Sequence, residues 1–107
     1  MNKIVLIGRL VARPELKETS SKNNYTRFTI AVNRQVKDET DFIDCIAWNK
    51  QAELISKYFD KGNKIAVDGR LTINNYKDKD GNNKNSVEVV IDNFDFIESK
   101  KGDEDVK

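Results

Sequence analysis

The chain has 107 residues, enough for one domain and too few for two of ordinary size. Its 19 Lys and Arg against 18 Asp and Glu leave a formal charge of +1, so bulk charge names no partner. There is no histidine and a single cysteine, Cys45. That excludes imidazole acid–base catalysis, His-dependent nucleophiles, nearly every zinc site and any internal disulfide. Leu, Ile, Val and Phe number 29, or 27% of the chain, above the roughly 20% below which chains stay disordered. Nineteen Ile and Val against five Leu and five Ala favour pleated sheet. No apolar run approaches the ~20 residues that span a bilayer, and Ile4–Ile7 is too short for a signal-peptide core. A cytoplasmic location follows as the expectation.

The first element is the apolar run from Lys3 to Ala12, read as a strand buried on both faces with a bulge or bend at Gly8. Arg13-Pro14-Glu15 ends it, and Thr19 to Asn24 forms a polar loop or hairpin tip. Phe28, Ile30 and Val32 alternate with polar residues, which predicts a second strand. After a polar loop from Arg34 to Asp41, a third strand runs from Phe42 to Trp48. Ile43, Cys45 and Ala47 lie on its core face, with Phe42, Asp44, Ile46 and Trp48 opposite. Between Asn49 and Asp60 the apolar spacing changes to three and four, predicting the one helix, with Asn49 as N-cap and Lys61-Gly62 as stop. Tyr58 is assigned to helix packing with its hydroxyl at the rim.

A fourth strand places Ile65, Val67, Gly69, Leu71 and Ile73 on the core face, and Arg70 and Tyr76 on the other. Asp78 to Asn82 is a hairpin turn. The fifth strand begins at Val87, Val89 and Ile91 and changes parity before Phe94 and Phe96, which predicts a bulge near Asn93. Residues 99–107 form a short charged tail after a domain of residues 1–98. Strand, strand, strand, helix, strand, strand makes an all-β fold with one short helix: a five-stranded Greek-key OB-fold barrel with the helix between strands three and four.

Catalysis has no foothold. Cys45 lies on a core parity, the sequence Asp78-Lys79-Asp80-Gly81 lacks the remaining ligands of a calcium loop, and no glycine-rich phosphate loop exists. No metal site and no cofactor are expected. The informative residues are Phe42, Trp48 and Tyr76, rings on strand faces whose opposite parities already supply a core. Each offers a flat surface on which any nucleobase can stack, and Lys50, Arg70 and Lys77 lie close to them in sequence. Rings interleaved with cations suit a single-stranded nucleic acid, with stacking for bases and charge for phosphates.

The blocks Asn2-Lys3-Ile4-Val5-Leu6-Ile7-Gly8-Arg9-Leu10, Phe28-Thr29-Ile30-Ala31-Val32-Asn33-Arg34, Asp41 to Glu53, Tyr58 to Gly62 and Asp68-Gly69-Arg70-Leu71 resemble bacterial and phage single-stranded-DNA-binding proteins, in register from Asn2 to about Ile97. The resemblance implies a homotetramer, a dimer of dimers, that coats single-stranded DNA during replication, recombination and repair, as a nucleoid-associated protein. It puts Phe42, Trp48 and Tyr76 on base-stacking positions and Arg34 and Lys50 on basic ones. The two-sided apolar run of the first strand would leave a sticky edge if unpaired, which makes that strand, with Lys3, Val5, Ile7 and Arg9, the expected subunit interface.

The sequence departs from the family in several places. Val36 stands at a usually aromatic position, Asp44 where some members carry a cation, and Thr72-Ile73-Asn74-Asn75 where basic residues are frequent. The loop from Gln35 to Asp41 is shorter than typical. The chain stops at Lys107 without the acidic, Phe-terminated peptide that recruits partner enzymes, as expected of a compact phage or mobile-element member or of a shortened chain. The alternative is an OB-type protein-interaction module akin to primosome accessory proteins. Residues 9–34 carry a net +4 and residues 87–107 a net −4, so the small total is a cancellation. A binder that leans more on stacking than on phosphate attraction is predicted.

Overall fold

The computed structural model describes residues 1–97; the expected tail lies outside the described residues. Six strands and one helix follow in order: β1 Ile4–Leu10, β2 Lys17–Glu18, β3 Asn24–Asn33, β4 Thr40–Trp48, α1 Asn49–Tyr58, β5 Lys64–Lys77 and β6 Asn83–Phe96. β1 pairs with β5 on one side and, through Arg9 and Leu10, with β3 on the other. β3 pairs with β4, β4 runs parallel to β6 at Cys45 and Ile46, and β6 pairs with β5. Five strands therefore close a ring, as the predicted OB barrel requires. The two-residue β2, unforeseen in the sequence, adds to β3 through Lys17–Tyr25 and Glu18–Asn24.

β1 runs through Gly8 without a register shift against β5 and takes up β3 just past it, at Arg9 and Leu10. A Cβ on Gly8 would lie 2.6 Å from the Ala31 carbonyl oxygen, so the approach to β3 needs a glycine. The expectation that β1 is buried on both faces holds only for its inward side. Leu10 is 2% exposed, whereas Val5 and Ile7 are 66% and 49% exposed.

The core gathers the inward residues of every barrel strand, including Phe28, Ile30, Cys45, Ile65, Val67, Val89 and Ile91. α1 closes one end by burying Ala52 and Ile55. Phe59, just past its end, stacks on Phe96 at 4.0 Å and meets Phe94 edge-on. Burying a ring of this size stabilises by roughly 1.5–3 kcal/mol. Asn49 is no N-cap: Trp48 holds that position without a side-chain hydrogen bond, and Asn49 takes a left-handed backbone at φ 50°. Asparagine tolerates that conformation better than most residues. Tyr58 is not packed under the helix but 55% exposed, because the helix stops there and turns Phe59 inward instead.

The register between β5 and β6 shifts beside Asp68 and Gly69, which face Asn93 and Ile91, so Asp92 is the bulged residue, next to the predicted position. Beyond Leu71 and Val89, where β6 has made its last pairing with β4, both strands leave the barrel as a hairpin. Leu71 and Ile73 keep the core parity but lie at and past the barrel's edge, and they are 37% and 57% exposed rather than buried. Ile46 departs from its predicted parity in the opposite sense. It lies on the outer face yet is 3% exposed, between its neighbours Arg27 on β3 and Val90 on β6.

Candidate nucleic-acid interface

The outer faces of β3, β4, β6 and β5 form one continuous surface. Tyr25 lies directly opposite Trp48, Arg27 opposite Ile46, Thr29 opposite Asp44, and Ala31 opposite Phe42. Ile46 neighbours Val90, and Val90 faces Arg70. Since β4 and β6 run parallel, descending either strand leads away from Trp48, towards Phe42 on one and Lys84 on the other. Lys84 faces Tyr76 across the hairpin. The surface thus has two ends about six residues apart, ~20 Å at strand spacing.

At the first end stands Trp48, 39% exposed, its ring 5.4 Å from that of Tyr25 at a 40° tilt. The Arg27 guanidinium lies 5.6 Å over Tyr25, and its Nε donates to Glu88 at 3.1 Å. Lys50, in the first turn of α1, is exposed and makes no ion pair among the described residues. Arg70 reaches Asp92 at 3.4 Å.

At the other end Phe42 is 67% exposed. Tyr76, 54% exposed, sits on the hairpin over a hollow of about 470 Å³ lined also by Asn75, Lys77, Asn83, Lys84 and Asn85. Lys77 makes no ion pair among the described residues, and Lys84 lies 4.0 Å from Asp78. The hairpin tip is a built turn. Asp78 Oδ1 accepts from the Asp80 and Asn82 N–H groups, and Gly81 holds φ 83°. Lys84 and Tyr25 had no place in the sequence reading. The cross-strand register supplies the signal for both, each lying opposite a ring already singled out.

Arg34 is held rather than free. It donates through Nε and Nη2 to Asp41 at 2.9–3.1 Å and through Nη1 to Glu39 at 2.9 Å. The hydrogen bonds with Arg34 lower the Asp41 pKa and raise that of Arg34. The centre of the surface is acidic as well as polar. Asp44 accepts from the Thr29 hydroxyl at 2.8 Å, and Glu88 is only 16% exposed. Beneath it Cys45 is fully buried, and burial, aided by Asp44 and Glu88, pushes its thiol up to about 12. A thiol so placed is no nucleophile.

Of the remaining residues singled out on β1, Lys3 pairs with Asp68 at 3.2 Å and Arg9 donates to the Gly62 carbonyl at 2.9 Å. Val5 and Ile7 stand exposed beside them. Among the described residues no group of side chains is arranged to hold a metal ion, and no helix is long and apolar enough to cross a membrane.

Comparison with known proteins gives the family. Residues 1–97 match the family described as the single-strand binding protein family. The chain belongs to that family. A single-stranded DNA-binding protein of Clostridium perfringens (strain 13 / Type A) is 48% identical over 104 residues, covering 95% of this chain and 69% of that protein. Single-stranded DNA-binding protein 1 of Clostridium acetobutylicum is 45% identical over 94% of this chain and 97% of its own length. Its counterpart in Staphylococcus aureus (strain MSSA476) is 44% identical over 97% and 70%. Membership of the single-strand binding protein family accords with the mostly β barrel and its one short helix.

Proposed function

We propose that this single-strand binding protein holds single-stranded DNA along the outer face of β3, β4, β6 and β5, with Phe42, Trp48 and Tyr76 stacking bases. Arg34, Lys50, Arg70 and Lys77 contact or steer phosphates. One observation carries the assignment of the rings: all three are large, exposed and on the same face, while the opposite parity of each strand around Phe42 and Trp48 fills the core. Stacking contributes ~1–3 kcal/mol per base and does not depend on which base is present, which suits a protein that coats DNA during replication, recombination and repair. No bond is made or broken; the protein is a binder, not an enzyme.

The chain acts as a homotetramer in this proposal. Two features support it: the outer side of β1, where Val5 and Ile7 are exposed between Lys3 and Arg9, and the hairpin face of Leu71, Ile73 and Val87. β1 is paired to β3 only at Arg9 and Leu10, so most of one edge is open to a second β1. A cytoplasmic, nucleoid-associated location accords with DNA as ligand.

Competition against a fluorescently labelled oligo-dT tests the proposal. Unlabelled oligo-dT should displace the label and duplex DNA of equal length should not, because paired bases offer no faces to the rings. Equal displacement by duplex overturns it, as does retention of full affinity when Phe42, Trp48 and Tyr76 are all replaced by alanine in a folded variant.

A further inference from the structure

The face does not end at Trp48. Lys17 on β2 lies directly opposite Tyr25 on β3, and Tyr25 directly opposite Trp48 on β4, so three strands place cation, ring and ring in one row. Beside Tyr25 is a hollow of about 250 Å³ lined by Arg13, Glu15, Lys17, Tyr25 and Arg27. It is open and polar, smaller than the ~300–1,000 Å³ pockets that enclose small molecules. Three of its five residues are cations and one is a carboxylate.

Those cations keep capacity for an anion. Arg13 gives one contact to Asp60 at 3.3 Å, with both side chains about three-fifths exposed, and Arg27 gives Nε to Glu88. A guanidinium has five N–H donors, so one carboxylate leaves most of them available. An exposed pair is worth only about 0–1 kcal/mol and yields readily to a phosphate. Lys17 makes no ion pair among the described residues. The Phe42 end differs: residues 34–44 hold two cations, Arg34 and Lys37, against Asp38, Glu39, Asp41 and Asp44.

We propose that the strand continues past Trp48 onto Tyr25, with the phosphodiesters of the following nucleotides seated against Arg13, Lys17 and Arg27. This subsite rests on the proposed single-strand binding and deepens it. The subsite adds phosphate contacts at the Trp48 end to those of Lys77 on the hairpin, while the acidic loop beside Phe42 leaves that ring to hold DNA by stacking. The ligand is a phosphodiester in a flexible single strand, since the same residues must admit a base to the Tyr25 ring.

The experiment compares wild type with the double variant Arg13→Ala/Lys17→Ala, both positions exposed, in titrations with a short and a long oligo-dT at several salt concentrations, reading Trp48 emission. Each phosphate contact to a single strand contributes about 0.7 to the slope of log K against log salt. The double variant should show a slope shallower by about 1.4 for the long oligonucleotide. It should show no change for one too short to pass Trp48, and full quenching at saturation in both cases. Tyr25→Phe should bind like wild type, because the ring remains. An unchanged slope at every length, with quenching intact, overturns the subsite while leaving the Trp48 assignment standing. Absence of quenching in wild type overturns that assignment itself.

Discussion

At the scale of single residues, stacking and charge act through different observables. Trp48→Ala should cost ~1–3 kcal/mol in oligo-dT affinity with little change in salt dependence, whereas Lys50→Ala should flatten that dependence by about 0.7. Equal effects on the slope would contradict the two roles. Arg34 gives an opposite-signed prediction. Asp41 and Glu39 offset its charge, so Asp41→Asn should tighten oligo-dT binding and steepen the salt slope. Asp41 is held below its ordinary value of 3.8 by Arg34. The pairing therefore stabilises above that value and is lost as pH falls through the lowered one. Cys45 has the reverse linkage. Its folded thiol stays protonated to about 12, while the unfolded thiol ionises near 9.0. Stability should fall by up to about 1.4 kcal/mol per pH unit between those values, and a thiol reagent at pH 8 should label only unfolded protein. Labelling of native protein would contradict the burial. Phe42, Trp48 and Tyr76 were legible because alternation places them off the core parity. Tyr25 was not, since its partner Trp48 emerges only from the β3–β4 register, and Arg34's acidic partners depend on a loop conformation with Asp38 at φ 66°.

At the scale of elements, alternation and helical spacing sufficed for five strands and the helix, and the parity change before Phe94 disclosed the bulge. The point where the hairpin leaves the barrel was not legible, because Leu71 and Ile73 continue the alternation of Ile65 and Val67 without interruption. Gly69 lies just ahead of that point, at the register shift. A Cβ there would stand 1.9 Å from the Val90 carbonyl oxygen, which is main chain and cannot swing aside. Gly69→Ala should therefore destabilise by about 1–3 kcal/mol or more, read as a lower denaturation midpoint, whereas a neutral result would contradict the close approach of β5 and β6. β2 escaped notice because two residues carry no periodicity; only the backbone pairing of Lys17 with Tyr25 defines it.

At the scale of the whole molecule, a total charge of +1 conceals a basic Trp48 end and an acidic centre. Such a distribution predicts a binder with modest salt dependence that grips mainly through its rings. Val5, Ile7, Leu71, Ile73 and Val87 are exposed in the single chain. Sedimentation should find a tetramer at micromolar concentration, and a monomer there would contradict the proposed assembly. Trp48 is the chain's one tryptophan, so its emission reports a single ring at the basic end of the proposed surface. Titration with oligo-dT at low salt should quench that emission to saturation, with quenching retained at moderate salt. Emission unmoved by saturating oligo-dT would contradict base stacking on this face.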